Sequence, residues 1–377
     1  GREGRDARRF RAREPQRRAR GDVVPEQEEE PGRKLLRAAD DVRDLEFEFC
    51  RDGDGDADAD ADAARLWRRR EAVDRGDVHA LAAREGAEAA ATAAGMDFQA
   101  YAGVTDGDAA PQINAIENCV AAGAKGILIT PSNDSVGPAL IDARTAGVLV
   151  IALDTPLADK NAQDMTFATD NFEAGLLIGQ WAAATLGADA ANAKIGMLDI
   201  NKDNISVDVA RDTGFLVGFG IDVPNLNVMG SETDPRVIGH ETSYASVEGG
   251  VTAMENLLAR EPDINVVYTI NEPAAEGAYQ ALQNAGKTGV LVVSVDGGCP
   301  GIASVKDGVI GATSQQYPLL MASKGVEAIA KFAADGTKPS ASDGLTFFNT
   351  GVNLVTDAPV DGVPSIDSDR GTELCWG

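Results

Sequence analysis

One short unit recurs along this chain and restricts its architecture more than any other feature. A helix-forming segment closes on Ala-Gly or a near equivalent, and an apolar run follows within a few residues. "AAGMDFQAY", "AAGAKGILIT", "TAGVLVIAL" and "NAGKTGVLVVSV" are four instances. Gly95, Gly123, Gly147 and Gly286 suit the left-handed residue that ends a helix. The runs are continuous, not alternating, as parallel strands covered on both faces require. Between two of them, Ile113, Ile116 and Val120 carry helical core spacing. The unit is a β-α-β crossover, repeated, so the fold is α/β and doubly wound.

The polar residues that close the strands form a second pattern. Thr130 to Asp134, Asp154, Asp170 with Asn171, Asp199 to Asn204, Asn271 with Glu272, and Asp296 each follow an apolar run. Any one of them reads as an Asx turn or a helix cap, and Asp170-Asn171 reads as a cap. Together they place carboxylates and amides on the carboxyl edge of parallel sheets, where such folds bind ligands.

The chemistry open to that edge is narrow. No glycine-rich fingerprint opens a helix after a strand, so no dinucleotide or other cofactor is expected. "AGKT" at 285–288 mimics part of a phosphate loop, but Ala281 stands where glycine is required, and the segment precedes a strand. No GxSxG elbow occurs. The only two histidines, His79 and His240, fall in an arginine-rich stretch and in what reads as a polar loop, "VIGHETSY". No catalytic group and no metal site is expected. Asp, Asn, Gln and Arg with a few aromatics remain, an inventory suited to a neutral polyhydroxylated ligand.

Charge separates the chain into two kinds of sequence. The total is −26, which disfavours nucleic acid as a partner. Residues 1–84 hold 19 arginines and 1 lysine, whereas the remainder holds 5 and 9. Residues 1–83 read as a low-complexity, non-globular segment, expected to be out-of-frame or misassigned coding sequence. Its run "DGDGDADADADA" has Asp52, Asp54 and Asp56 at alternate positions, but Ala57 and Ala63 stand where a calcium loop needs Gly and Glu. No stretch is long and apolar enough to span a membrane. Of the four cysteines, Cys299 and Cys375 either bridge in an oxidising compartment or remain thiols, and both readings stay open.

From about Arg84 to Gly377 the chain resembles the type I periplasmic sugar-binding proteins of the ribose/xylose/fructose branch, the substrate receptors of ABC importers. "GAKGILITPSND", "VLVIALDTP", "FATDNFEAGLLIGQ", "ARDTGFLVGF", "MENLLAREPDINVVYTINEPAAEGAYQALQNAGK", "VLVVSVDGG" and "GATSQQYP" carry the likeness in order. "INEPAAEGAYQAL" and the terminal "ELCWG" are most similar to fructose-type receptors. The resemblance implies two interleaved parallel-sheet lobes joined by a hinge, one from 84–169 and 317–347, the other from 170–316 and 348–377. It implies Asp154, Arg211, Asn271, Asp296 and Gln316 as ligand residues, with Tyr317 and Phe215 as stacking aromatics. It further implies a monosaccharide of the fructose, ribose or xylose class, a membrane permease as partner, a monomer, and the periplasm or cell envelope as location. The ligand-sensing lobes of lac-repressor-type regulators share this fold, but they require an N-terminal DNA-binding unit, and no such pattern occurs here.

One departure stands out. The family opens with a β-strand and an Asn-Pro-aromatic-aromatic turn. Here "RRREAVDRGDVHALA" precedes the helix "EGAEAAATAAG" without a β-run. A central strand of the first lobe is therefore expected to be missing, which would leave its neighbours unpaired and lower sugar affinity.

Overall fold

Two six-stranded sheets, each with helices on both faces, make up the described part of the chain. The computed structural model describes residues 47–50 by their backbone, and 78–102, 109–202 and 204–377. The non-globular reading of residues 1–83 otherwise falls outside the described residues.

The first lobe contains β1 (Phe47–Cys50), α1 (Val78–Ala93), β2 (Gln99–Ala102), α2 (Ala109–Ala121), β3 (Gly126–Ile129), α3 (Gly137–Thr145), β4 (Leu149–Leu153) and β5 (Met165–Ala168). The second contains α4 (Asn171–Leu186), β6 (Ile195–Asp199), α5 (Ser206–Gly218), β7 (Val237–Thr242), α6 (Val247–Arg260), β8 (Val266–Thr269), α7 (Glu272–Asn284), β9 (Leu291–Asp296), α8 (Cys299–Lys306) and β10 (Ala312–Gln315). The chain returns to the first lobe with α9 (Pro318–Asp335) and β11 (Phe348–Asn349), then ends in the second with β12 (Asn353–Val355) and α10 (Ser368–Leu374).

The sheet orders are β11-β5-β4-β3-β1-β2 and β12-β10-β9-β8-β6-β7. β3, β4, β8 and β10 are buried along their whole length, as continuous apolar or small-residue runs must be when helices cover both faces. Gly95, Gly123, Gly147 and Gly286 all adopt positive φ at helix ends. The third crossing comes slightly later than the sequence predicts. Phe348 and Asn349 pair with Phe167 and Ala168 of the first sheet, so the switch follows Asn349.

The first sheet corrects the expectation of a missing strand. β1 fills the position between β2 and β3, pairing Phe49 with Ala100 on one side and with Leu128 on the other. It runs antiparallel to both, so the inner backbone groups of β2 and β3 are satisfied by a strand of reversed direction. The globular part also begins before Arg84. α1 starts at Val78 and buries Ala80, Ala82 and Ala83. Its small residues let it press on α9: a Cβ at Gly86 would lie 2.5 Å from the Leu319 carbonyl oxygen.

His240 also departs from its expected setting. It lies on the edge strand β7, paired with Met197 of β6, and not in a loop.

Candidate functional site

The carboxyl ends of β4, β8 and β9, the first half of α5 and the crossing after β10 converge on the gap between the lobes. Asp154 follows β4 and Asp296 ends β9. Both adopt positive φ, 61° and 134°, which a side chain other than glycine's rarely tolerates. Strained backbone at two facing strand ends is characteristic of sites where geometry is held for a purpose.

Arg211 is the centre of the second-lobe wall. It is 5% exposed, and its Nε donates to Asn171 Oδ1 at 2.7 Å. One guanidinium nitrogen donates to the Ile270 carbonyl at 3.1 Å and stands 3.5 Å from Asp296 Oδ1. Gln316 donates from Nε2 to the same Asp296 oxygen at 2.7 Å, and its own amide N–H donates to the Asp296 carbonyl at 2.9 Å. Burial pushes the Asp296 carboxyl up, the Arg211 and His79 charges pull it back, and Asp154 across the gap raises it further. Four of the five expected polar residues thus meet here: Asp154, Arg211, Asp296 and Gln316. Asp154 Oδ1 and Gln316 Oε1, one from each lobe, are buried acceptors without a hydrogen-bond partner.

Asn271, the fifth, is committed to the fold. Its Oδ1 caps α7 by accepting from the Ala274 amide at 3.1 Å, and its Nδ2 donates to the Ala245 carbonyl at 3.0 Å. An amide oxygen has two lone pairs and an NH2 two hydrogens, so each group retains one valence toward the cleft.

The two aromatic expectations fare differently. Phe215 is fully buried and stacks on Tyr268 at 4.8 Å between ring centroids. It belongs to the core beneath the site and cannot cover a ligand, a correction that follows from its position one turn along α5 from Arg211. Tyr317 is half-buried on the second crossing, its hydroxyl engaged by Asn353 Nδ2 and lying 3.4 Å from Gln315 Oε1.

Four residues of the site lie outside the sequence-based set. Asn171, expected to share the α4 cap, leaves that role to Asp170 and instead holds Arg211. Glu272 is half-buried near Asp296, where it accepts from the Gly297 and Gly298 amides and from Thr313 Oγ1 at 2.8 to 3.1 Å. Burial and the neighbouring Asp296 push its carboxyl up to about 8. Trp376 is held by the Cys299–Cys375 disulfide and donates from its indole to the Gln316 carbonyl at 2.9 Å. His79 of α1 meets Trp376 edge-on at 5.4 Å, joining the two lobes beside Asp296. The sequence carries no signal for His79 in the cleft, whereas Asn171 and Glu272 stand among its polar strand ends and Trp376 in the terminal "ELCWG".

Comparison with known proteins identifies the family and the fold. The family model described as a periplasmic binding protein domain matches residues 74–338. The chain is 31% identical over 219 residues to the ribose import binding protein RbsB of Escherichia coli (strain K12), covering 58% of this chain and 69% of that protein. It is 29% identical over 227 residues to a xylitol-binding protein of Mycolicibacterium smegmatis, covering 58% and 59%. Among solved structures, a periplasmic solute binding protein of an ABC transporter from Actinobacillus succinogenes, with bound D-allose, superposes with a TM-score of 0.62 at 21% identity. That match covers 79% of this chain and 96% of the other.

Proposed function

Because this chain belongs to the periplasmic binding protein domain family, we propose that it captures a monosaccharide between its lobes and presents it to the permease of an ABC importer. One observation carries the reading. Asp154 Oδ1 and Gln316 Oε1, one from each lobe, are buried acceptors without a partner, and Arg211 stands against the same Asp296 oxygen that Gln316 holds. Hydroxyls of a neutral sugar donate to both acceptors and accept from the guanidinium, so a single ligand satisfies both walls at once.

The same groups explain how binding is coupled to motion. The lobes are joined by three crossings, after Ala168, Gln315 and Asn349, the natural hinge for closure about a ligand. A sugar bonded to Asp154 on one side and to Arg211 and Asp296 on the other stabilises only the closed arrangement. The closed surface is then what the permease recognises. The relatives are import and binding proteins, so the chain is read as a receptor and not an enzyme. Its sugar falls in the ribose, xylose or fructose class, and its place of work is the periplasm or cell envelope.

Isothermal titration against ribose, xylose, fructose and glucose is the test, paired with small-angle scattering. One of the first three is expected to bind at micromolar Kd or tighter and to reduce the radius of gyration. No binding by any of them, or binding that Asp296→Ala leaves unchanged, overturns the reading.

A further inference from the structure

A second cluster stands at the same sheet edge, two strands away from Asp296, and the sugar site does not use it. Asp199 ends β6, His240 lies beside it on β7, and α5 brings Asp212 against both. Asp199 Oδ2 is 2.9 Å from His240 Nδ1, and Asp212 Oδ2 is 3.6 Å from the same nitrogen. The other ring nitrogen, Nε2, is 2.9 Å from Glu232 Oε1. Asp212 is 1% exposed, yet neither of its carboxylate oxygens has a hydrogen-bond partner, and Oδ2 is the one that lies against His240. Asp199 Oδ1 and Glu232 Oε2 are likewise buried and unpartnered. Among the described residues no lysine or arginine forms an ion pair with Asp199, Asp212 or Glu232.

Three carboxylates thus share one imidazole in a largely buried site, where an uncompensated charge is costly. One ligand atom from each of Asp199, Asp212 and His240 lies within 4.8 Å of the others. Two donors about 2.1 Å from a tetrahedral ion stand about 3.4 Å apart, a spacing that the 2.9 and 3.6 Å separations bracket. The donor set, one imidazole nitrogen and two carboxylates, fits zinc and its neighbours, whereas calcium takes six or more oxygens. The Glu232 contact at Nε2 supplies the usual outer partner of a metal-bound histidine, and Nδ1 is the ring nitrogen that lies against the two aspartates.

We infer that Asp199, Asp212 and His240 hold a divalent transition-metal ion of the zinc class, with Glu232 as the positioning residue that orients the imidazole. This reverses the expectation, drawn from sequence, of no metal site. The ion pins α5, the helix that carries Arg211, to the edge of the sheet. Three protein donors leave a fourth position, which water completes.

The test uses the full chain, stripped with EDTA and dialysed, then titrated with zinc sulfate by calorimetry. One zinc per chain and a rise of several degrees in Tm are expected. Cobalt in its place should give the visible absorption of a tetrahedral nitrogen-oxygen site. His240→Gln and Asp212→Asn should each weaken zinc at least 100-fold, and Glu232→Gln by about 10–100-fold. Asp212→Asn removes a buried unpaired charge, so its metal-free Tm should equal or exceed that of the parent, which separates a lost ion from a lost fold. Asn at 52, 54 and 56 in the acidic run should leave zinc uptake unchanged. Absence of zinc binding, parent-like affinity in His240→Gln and Asp212→Asn, or loss of uptake with the acidic run overturns the assignment.

Discussion

Gly175→Ala asks whether the seam between α4 and α5 sets the position of Arg211. The two helices meet through glycine faces. A Cβ at Gly175 would lie 2.0 Å from the Arg211 carbonyl oxygen, and one at Gly179 2.1 Å from that of Phe215. From the other side, Gly214 and Gly218 would each meet α4 carbonyls at 2.2 Å. Ordinary contact begins near 3.4 Å, so a methyl at 175 opens the seam by about 1.4 Å. Arg211 reaches Asn171 at 2.7 Å and Ile270 at 3.1 Å, and such a shift takes both beyond hydrogen-bonding range. Overpacking of this kind costs about 1–3 kcal/mol, which lowers Tm by roughly 3–8 °C. A lost hydrogen bond to a charged group is worth about 1.5–3 kcal/mol, so sugar affinity should fall about 10–150-fold. Differential scanning calorimetry and isothermal titration read the two effects. Gly137→Ala is the control, because its Cβ would meet nothing closer than Ala162 Cβ at 3.8 Å, and it should melt within about 1 °C of the parent. If Gly175→Ala melts and binds as the parent does, the seam does not position Arg211.

Four further substitutions separate roles in and around the cleft. Asp296→Ala should abolish measurable sugar binding. Asn271→Asp keeps the α7 cap but loses the Nδ2 bond to the Ala245 carbonyl, so it should lower Tm by a few degrees and weaken sugar; equal Kd values for parent and both variants would refute the assignment. Glu272 holds its proton more tightly folded than unfolded. Between pH about 4.5 and 8 the native state therefore binds more protons, and this group's contribution to stability declines as pH rises. The Tm deficit of Glu272→Gln should accordingly shrink from pH 5 to 8.5, and parallel curves would show that Glu272 titrates normally. Cys375→Ser frees a bridge that spans 76 residues, worth up to about 4 kcal/mol in the chain-entropy account, and should also alter tryptophan emission as Trp376 leaves His79; an unchanged melt and spectrum would mean that the tail is held without the bridge.

How much of this could be read beforehand depended on whether the relevant pattern was local. Continuous apolar runs, left-handed glycines and polar strand ends are set within a few residues, so the α/β architecture and the positions of Asp154 and Asp296 were legible. Arg211 was reached through family likeness alone, since a single arginine in a helix carries no sign of what lies opposite. Phe215 was misplaced for a related reason. One turn of α5 separates a cleft residue from a core residue, and helical periodicity gives the face without the depth. Asn171 and Asp170 are adjacent and chemically alike, and only the incoming Arg211 decides which one caps. The Asp199–Asp212–His240 cluster joins three separate segments, and it was hidden further because "VIGHETSY" reads as loop when its strand lies at a sheet edge with polar neighbours.

The reversed first strand shows why filling a gap in a sheet differs from restoring a binding wall. β1 pairs on both sides, so the backbone requirement of β2 and β3 is met whichever way it runs. Direction decides only which end reaches the cleft. β3 and β4 deliver their carboxyl ends there, and an antiparallel β1 delivers its amino end. Among the described residues, the first lobe brings to the proposed cleft Asp154, held by its own strained turn, and His79 at the start of α1, braced on Trp376. A cleft so divided relies on its second lobe for most of its donors. Substitutions at Arg211 and Asp296 should therefore cost more affinity than any single change in the first lobe.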